Sequence, residues 1–167
     1  MQSIYQSSDK KLNVEIPFDI IEAIKQYSDT AGRNETGGIL IGNYNNSHDT
    51  AQIKNVTGPP ADSKSGRNWF YRGLKNLQTK LNEYWNKKQY YLGEWHYHPY
   101  SSPSPSTVDT SQMFKIAISS DYRCPEPVML IIGGSRGKYQ IAVFVFVRSD
   151  RMIELKMLPQ VSHNKSE

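Results

Sequence analysis

The sequence contains a single cysteine, Cys124, among 167 residues. One cysteine cannot form an internal disulfide, which excludes a disulfide-stapled scaffold and agrees with a reducing compartment. It also excludes the ligand set of zinc-dependent nucleotide deaminases, which need an H-x-E and a P-C-x-x-C motif. No neighbouring sequence would activate the thiol, so we interpret Cys124 as a small buried residue rather than a nucleophile.

Long apolar runs are also absent from the sequence. No segment approaches the roughly eighteen apolar residues that a membrane-spanning helix needs, and the mean hydropathy is −0.65. The first residues, MQSIYQSSDKKLNVEI, lack the apolar stretch that is typical of a signal peptide. We therefore expect cytoplasmic residence and no membrane partner.

Positive charges only mildly outnumber negative charges, and the formal net charge is +4. The lysines and arginines are scattered along the chain rather than gathered into one run, which is typical of a solvated surface with mild attraction for acidic partners. No nucleic-acid-binding motif supports a partner of that class, and we expect none.

Apolar periodicity predicts an α/β fold, in which a single mixed β-sheet is flanked by helices. We expect one domain over residues 1–150, followed by a tail over residues 151–167. Residues 58–68 form a loop by composition, and the aromatic residues at 69–71 are expected in the core or as loop anchors. The predicted strands are 12–16, one that begins at Glu35, 50–57, 69–71, 90–98, 128–132 and 139–147, and the predicted helices are 17–32, 74–88 and 106–120.

Two of the four histidines stand one residue apart, in the segment GEWHYHP. Residues two apart on a strand point to the same face, with Cα atoms about 6.5–7 Å apart. His96 and His98 therefore project together and can meet on one ion, with bonds of about 2.0–2.1 Å. Trp95 and Tyr97 point to the opposite face, toward the core. An isolated H-x-H pair is more often coincidence than a metal site, so a third ligand is needed.

A carboxylate follows these histidines after a turn rich in serine and proline. Pro99 ends the strand, and Ser106-Thr107-Val108-Asp109 matches a capping box with Asp at its last position, so a helix begins there. Asp109 falls in the first turn, where the chain has doubled back, and is placed to be a third ligand. Two histidines, one carboxylate and an open position are typical of a catalytic zinc site. Helix capping alone would also explain Ser106 and Asp109, and the two roles can coexist.

Hydrolysis at such a site needs a base that takes the proton of the attacking water and returns it to the leaving amine. Glu94 lies on the predicted face of the two histidines, and alternation alone favours it. Glu35 heads the glycine-bearing segment ETGGILIG, which could lie beside the site. The spacing of the residues does not choose between these two carboxylates.

Glu35, the segment GG-x-L-x-G, the H-x-H-P motif and, seven residues later, S-x-x-D together resemble the JAMM motif of the MPN-plus (JAB) metalloprotease family. The order of the predicted strands and helices resembles that of this family over residues 12–147. It implies a cytidine-deaminase-like α/β fold, one zinc ion per chain, and hydrolysis of the peptide or isopeptide bond that follows a ubiquitin-like carboxyl terminus. Carried over residue by residue, it implies that the metal ligands are His96, His98 and Asp109, that Glu35 is the base, and that Ser106 stabilises the oxyanion.

Glu94 departs from the aromatic or aliphatic residue that is commoner at its position in that family, and a supporting role or a contact with substrate is left open for it. The segment GEWHYHP and the small size of the chain resemble the stand-alone bacterial JAB peptidases of CBASS antiphage operons. That resemblance implies a protein substrate with an extended C-terminal tail, either ubiquitin-like or of a cGAS-like nucleotidyltransferase. It also implies an opposing E1/E2-like conjugating enzyme.

The substrate tail is expected to lie extended and to add a strand beside the site. An alternative substrate is a sulfur-carrier protein, which the enzyme would trim to its Gly-Gly terminus. A metal-free scaffold of the MPN type is a third interpretation, against which the complete set of motif residues argues.

Overall fold

The computed structural model describes residues 1–148 and 151–160. Within these ranges the chain forms ten strands and three helices. The strands are β1 (Gln2–Gln6), β2 (Asn13–Pro17), β3 (Thr36–Tyr44), β4 (Thr50–Val56), β5 (Lys64–Gly66), β6 (Trp69–Tyr71), β7 (Tyr90–Pro99), β8 (Val128–Ser135), β9 (Lys138–Val147) and β10 (Arg151–Met157), and the helices are α1 (Phe18–Ala31), α2 (Leu77–Trp85) and α3 (Thr107–Ile118).

Eight of these strands close into a barrel in the order β1-β10-β9-β8-β7-β3-β4-β2. The pairs β2/β4 and β7/β8 are parallel and the other neighbours are antiparallel. The prediction of a mixed sheet in an α/β fold is therefore confirmed. The closure of this sheet into a barrel was not predicted. Closure covers the strand edges that an open sheet would expose. The other two strands, β5 and β6, form a separate hairpin.

Helices cover both faces of the central strands. On one face α1 packs in an apolar cluster with Leu40 and Leu130. On the other face α2 and α3 pack in a second cluster, which includes Ile39, Met113 and Ile131. Adjacent residues of β3 and of β8 thus contribute to opposite faces, as the alternation of a strand requires.

A bulge at Gly93 decides which face each residue of β7 uses. Gly93 has a φ of 154°, and a Cβ atom there would lie 1.8 Å from a backbone carbonyl oxygen of β8, so the position requires glycine. The register of β7 with β3 shifts at the same point. Leu92 and Trp95 consequently pack in the same cluster as α1, together with Tyr97. The predicted core positions of Trp95 and Tyr97 are confirmed, and the two histidines face the other way.

The predicted tail contains a strand of the barrel, which corrects the domain boundary placed at residue 150. β10 pairs with both β9 and β1. Its sequence alternates apolar and charged residues from Ile153 to Met157, a strand signal that the prediction missed, and Leu155 is the one buried residue of this strand. β1 was not predicted either, since its buried positions are Ser3 and Tyr5. Residues 161–167 lie outside the part of the chain that the structure describes.

The helix predicted over residues 74–88 is shorter and begins at Leu77. The carboxylate of Asp62 accepts hydrogen bonds from the backbone N–H groups of Leu74 and Lys75, and Asn76 has a φ of 61°. These residues therefore form a turn that precedes α2. Among the described residues, none of the helices has the length and apolar character needed to cross a membrane.

The loop predicted over residues 58–68 contains β5, which pairs with β6. Trp69 and Tyr71 of this hairpin are 51% and 57% exposed. Of the two expected roles, core or loop anchor, the core role is therefore wrong for Trp69 and Tyr71, because a two-stranded hairpin has one face that no other layer covers. Phe70, between them, points back toward the barrel and is half-buried.

Candidate metal centre

β7 carries His96 and His98 between its neighbours β3 and β8. Because the backbone of β7 is hydrogen-bonded to a strand on each side, two sets of backbone hydrogen bonds fix the positions of these side chains. Both histidines point to the face of the sheet that α3 covers, and they are 5% and 8% exposed. The structure therefore brings the two imidazoles together in a nearly buried position.

The first turn of α3 brings Asp109 to the two imidazoles. Ser106 is the N-cap of this helix: its Oγ accepts the N–H of Asp109 at 3.1 Å, and Asp109 Oδ2 accepts the N–H of Ser106 at 2.8 Å. Asp109 Oδ1 lies 3.0 Å from His96 Nδ1, and Oδ2 lies 3.3 Å from His98 Nε2. The capping box that the sequence predicts is thus present, and it orients the carboxylate toward both rings.

His96, His98 and Asp109 form a group that can hold a metal ion. Each offers one ligand atom, and the three atoms lie within 4.8 Å of one another. Two imidazole nitrogens and one carboxylate oxygen are a donor set that zinc takes in catalytic sites. Three polar side chains that converge in a buried position, with hydrogen bonds chiefly to each other, fit a divalent ion better than they fit an apolar core.

The electrostatics of this cluster reflect its burial and its charges. Burial opposes ionisation of Asp109, but hydrogen bonds from His96 and His98 outweigh it and hold the pKa of the carboxyl well below its usual range. Burial likewise opposes protonation of His98, yet Asp109 and Glu35 together raise the pKa of this imidazole. Acidic groups therefore surround His98, as they would surround a bound cation.

Glu35 lies at the edge of the cluster, directly before β3. Thr36 pairs with Tyr97, so the antiparallel register continued by one residue sets Glu35 opposite His98. Glu35 is half-buried, and burial together with the charge of Asp109 raises the pKa of its carboxyl, although the nearby His98 and His96 act in the opposite direction. A carboxylate with a raised pKa next to the candidate ligands has the position and the basicity that a general base needs.

The close approach of β3 to the cluster depends on Gly37. A Cβ atom at this position would lie 2.4 Å from the carbonyl oxygen of Trp95 and 2.8 Å from the His96 ring. A side chain there would displace either the backbone of β7 or the imidazole. The first glycine of ETGGILIG therefore allows Glu35 and His96 to share one site.

The β5–β6 hairpin closes one side of the cluster. Its Gly66 carbonyl oxygen accepts the N–H of Glu35 at 2.8 Å, and the edge of Phe70 packs on the His96 ring with centroids 5.6 Å apart. The hairpin thus holds the backbone of Glu35 and packs on one imidazole. The contribution of Phe70 was missed because nothing in the WFY segment distinguishes a residue that packs on a histidine from one that packs on the core.

Glu94 shares the face of the histidines, but its carboxylate is bound in a separate network. Oε2 accepts a hydrogen bond from Arg72 Nε at 2.7 Å, and Oε1 accepts from Arg72 Nη2 at 2.9 Å and from the Tyr91 hydroxyl at 2.7 Å. Arg72 also donates to the Tyr122 hydroxyl. With both oxygens occupied and its side chain 5% exposed, Glu94 is available neither to an attacking water nor to a substrate. The geometry therefore favours Glu35 among the two candidate bases.

Comparison with known proteins agrees with these features. The family described as prokaryotic homologs of the JAB domain matches residues 18–147. The chain belongs to this family. Over 127 residues this JAB protein is 49% identical to a CD-NTase/cGAS isopeptidase of Enterobacter hormaechei subsp. hoffmannii, which covers 75% of this chain and 71% of the relative.

Two further comparisons concern the chemistry and the fold of this JAB protein. A probable metalloprotease of Sinorhizobium fredii, y4qB, is 26% identical over 123 residues, covering 71% of this chain and 74% of the relative. The solution structure of protein DSY2949 from Desulfitobacterium hafniense is similar in fold, with a TM-score of 0.60 at 18% identity, over 89% of this chain and 95% of that one. The predicted membership of the JAB family is confirmed.

Proposed function

We propose that this JAB protein is a zinc-dependent peptidase of the JAMM type, in which His96, His98 and Asp109 hold one zinc ion. The observation that carries the proposal is the meeting of these three ligand atoms in a buried cluster next to half-buried Glu35. A zinc ion bound there would polarise the scissile carbonyl and lower the pKa of a water molecule to about 7.

The side chains around the cluster supply the remaining steps. The carboxylate of Glu35 takes the proton of the attacking water, and its raised pKa lets the resulting acid return that proton to the leaving amine. Ser106 Oγ already accepts one hydrogen bond, from the N–H of Asp109, so its O–H remains able to donate to the oxygen of the scissile carbonyl as negative charge develops there.

The proposed substrate is a target protein joined to the C-terminal tail of a CD-NTase, a cGAS-like nucleotidyltransferase. The relative with 49% identity carries the name CD-NTase/cGAS isopeptidase, and the match extends over three quarters of this chain. Hydrolysis of that bond would oppose an E1/E2-like conjugating enzyme in bacterial antiphage defence of the CBASS type.

A panel of reporter fusions tests this proposal. The purified protein is offered a CD-NTase tail, a ubiquitin-like tail and a sulfur-carrier tail, each fused to a reporter through a peptide bond or through a lysine isopeptide bond. We expect cleavage of the CD-NTase fusions, loss of cleavage with a chelator, and recovery with zinc. Cleavage confined to the sulfur-carrier fusion would support the trimming function instead. Absence of bound zinc at one equivalent per chain would support the scaffold interpretation.

The Glu35→Gln variant tests the role of the base. The amide cannot accept a proton, so turnover should fall by about 10²–10⁴-fold, while zinc content measured by elemental analysis stays near one per chain. Glu22→Gln is the matched control, because Glu22 pairs with Lys25 on the surface of α1 and should turn over normally. Full activity of Glu35→Gln would remove Glu35 from this role.

A further inference from the structure

A pocket of about 340 Å³ lies next to the candidate metal centre and has no role in the mechanism above. Its walls are formed by Arg33, Arg67, Pro99 and Tyr100. These residues come from three separate segments: the turn that follows α1, the turn between β5 and β6, and the end of β7.

Each segment that lines this pocket is next to a residue of the candidate metal centre along the chain. Arg33 stands two residues before Glu35 in the sequence. Arg67 follows Gly66, whose carbonyl oxygen accepts the N–H of Glu35. Pro99 follows the candidate ligand His98. Because these lining residues are one or two positions from the proposed base, its backbone partner and one proposed ligand, a group bound in the pocket would lie close enough to the centre to belong to residues that flank a scissile bond.

The charge of the pocket is positive and uncompensated. Within residues 1–148 and 151–160, neither Arg33 nor Arg67 forms an ion pair. Two other arginines do form ion pairs, Arg72 with Glu94 and Arg136 with Asp29. Both arginines line the pocket and are exposed, so solvent screens part of the repulsion between their charges, and an anion bound between them would relieve the rest.

Backbone geometry at Tyr100 shapes the third wall. Tyr100 has a φ of 56°, in the left-handed region that a bulky residue rarely adopts. Its N–H donates to the carbonyl oxygen of Gly134 at 2.8 Å, which holds the chain in this conformation. The ring is 69% exposed, so the conformation presents an aromatic side chain at the rim of the pocket instead of burying it.

We infer that this pocket binds a carboxylate of the protein substrate and makes the enzyme select an acidic group close to the scissile bond. The planar fork of a guanidinium matches a carboxylate through two parallel hydrogen bonds, and two arginines around one pocket provide such forks from two sides. The carboxylate belongs either to an Asp or Glu side chain or to a free C-terminus. The inference rests on the proposed function for its substrate, but binding to the pocket does not require turnover.

The first test measures binding alone, in the zinc-loaded wild-type protein. Arginine Nε–H signals are followed by ¹⁵N NMR during titration with three small probes: N-acetyl-glutamate α-amide, N-acetyl-glycine and the neutral N-acetyl-glutamine α-amide. We expect saturable shifts at Arg33 and Arg67 with at least one of the two acids, weakened by salt, and no such shift with the neutral probe. The response to the side-chain acid and that to the terminal acid distinguish the two sources of the carboxylate.

Charge-neutral variants provide the controls for binding. Arg33→Gln and Arg67→Gln should abolish the saturable response of the remaining arginine. Arg151→Gln, which removes one exposed positive charge from β10, should leave it intact. No saturable response to either acid, or an equal response to inorganic phosphate, would overturn the assignment of a carboxylate pocket, and neither result depends on whether the protein is a peptidase.

The second test measures selection, with reporter tails that carry Glu or Gln at successive positions on each side of the scissile bond. At one position the wild-type protein should prefer Glu over Gln in kcat/KM by about threefold to tenfold, as expected for exposed charge-assisted contacts. Arg33→Gln or Arg67→Gln should bring this ratio toward one, and Arg151→Gln should not. Equal ratios in wild type and in both pocket variants would contradict the inference even while cleavage itself upholds the proposed function.

Discussion

At the scale of single residues, Ser106 combines two roles that can be separated. Its Oγ caps α3 by accepting the N–H of Asp109, and its O–H is proposed to donate to the oxyanion. Ser106→Ala removes both, so we expect turnover to fall by about 10²–10³-fold and the free energy of unfolding to fall by about 1 kcal/mol. Ser106→Asp retains a good cap but no hydroxyl. It should therefore recover stability without recovering turnover, as measured by denaturant unfolding and kcat; recovery of both would assign Ser106 a structural role alone.

The raised pKa values of Glu35 and His98 predict how activity depends on pH. Glu35 accepts a proton only when ionised, and its pKa lies above the ordinary value of 4.5. His98 binds a metal only when neutral, and its pKa lies above the ordinary value of 6.5 in the metal-free protein. Both shifts act in one direction, so kcat/KM should fall as the pH falls. Elemental analysis at each pH separates the two causes: zinc is retained where Glu35 protonation limits the rate and is lost where His98 protonation does. A rate that rises toward pH 5 would contradict this prediction.

Local spacing predicts part of this site and long-range contact supplies the rest. His96 and His98 share a face because of strand alternation, and Asp109 follows from a capping box, so each can be inferred from a few consecutive residues. Glu35 is distant from them in the sequence, and only the resemblance to JAMM enzymes selects it. The sequence could not show that Glu94 is the weaker candidate for the base. Its ion pair with Arg72 depends on a residue 22 positions away, which local spacing does not reveal.

At the scale of elements, the ion pair between Arg72 and Glu94 joins the β5–β6 hairpin to the strand that carries the histidines. Both side chains are nearly buried, at 9% and 5% exposed. Burial opposes the charge of Arg72, but Glu94 outweighs it and raises the pKa of the guanidinium. Arg72→Met should leave the Glu94 carboxylate buried without its cation and destabilise the protein by about 3–5 kcal/mol.

The double variant Arg72→Met/Glu94→Gln provides the control for this ion pair. It removes both charges, so denaturant unfolding should show that it recovers most of the stability lost in Arg72→Met. If the pair also positions the hairpin, KM should rise in the double variant while its zinc content stays unchanged. Equal stability of Arg72→Met and wild type would show that the buried pair contributes nothing.

Elements differ in how well the sequence predicts them, and burial explains the difference. β3, β7 and β8 are buried on both faces. Continuous apolar residues indicate β8 directly and the centre of β3, whereas β7 is indicated by its aromatic residues in alternation with Glu94 and the two histidines. β10 buries one residue and β1 buries a serine and a tyrosine. β1 has no periodic apolar pattern and β10 has only a short one, from Ile153 to Met157, so backbone pairing with their neighbours is what holds both as strands.

At the scale of the whole molecule, these two strands convert a sheet into a closed barrel. β1 pairs with β2 and β10, and β10 pairs with β9. Two of the candidate metal ligands lie on β7, and β10 lies three strands away from it in the strand order. Closure therefore protects the sheet edges without touching the site, which separates the determinants of stability from those of catalysis.

Leu155 allows this separation to be tested. It is 2% exposed and packs in the same apolar cluster as α1, so Leu155→Ala should lower the free energy of unfolding by about 2–5 kcal/mol. Met152→Ala, on the same strand but 43% exposed, is the matched control and should change stability by no more than about 0.5 kcal/mol. Under conditions where Leu155→Ala is still folded, its zinc content and kcat should equal those of wild type, because β10 pairs with β9 and β1 and lies three strands from β7. A loss of zinc from folded Leu155→Ala would show instead that barrel closure positions the metal centre.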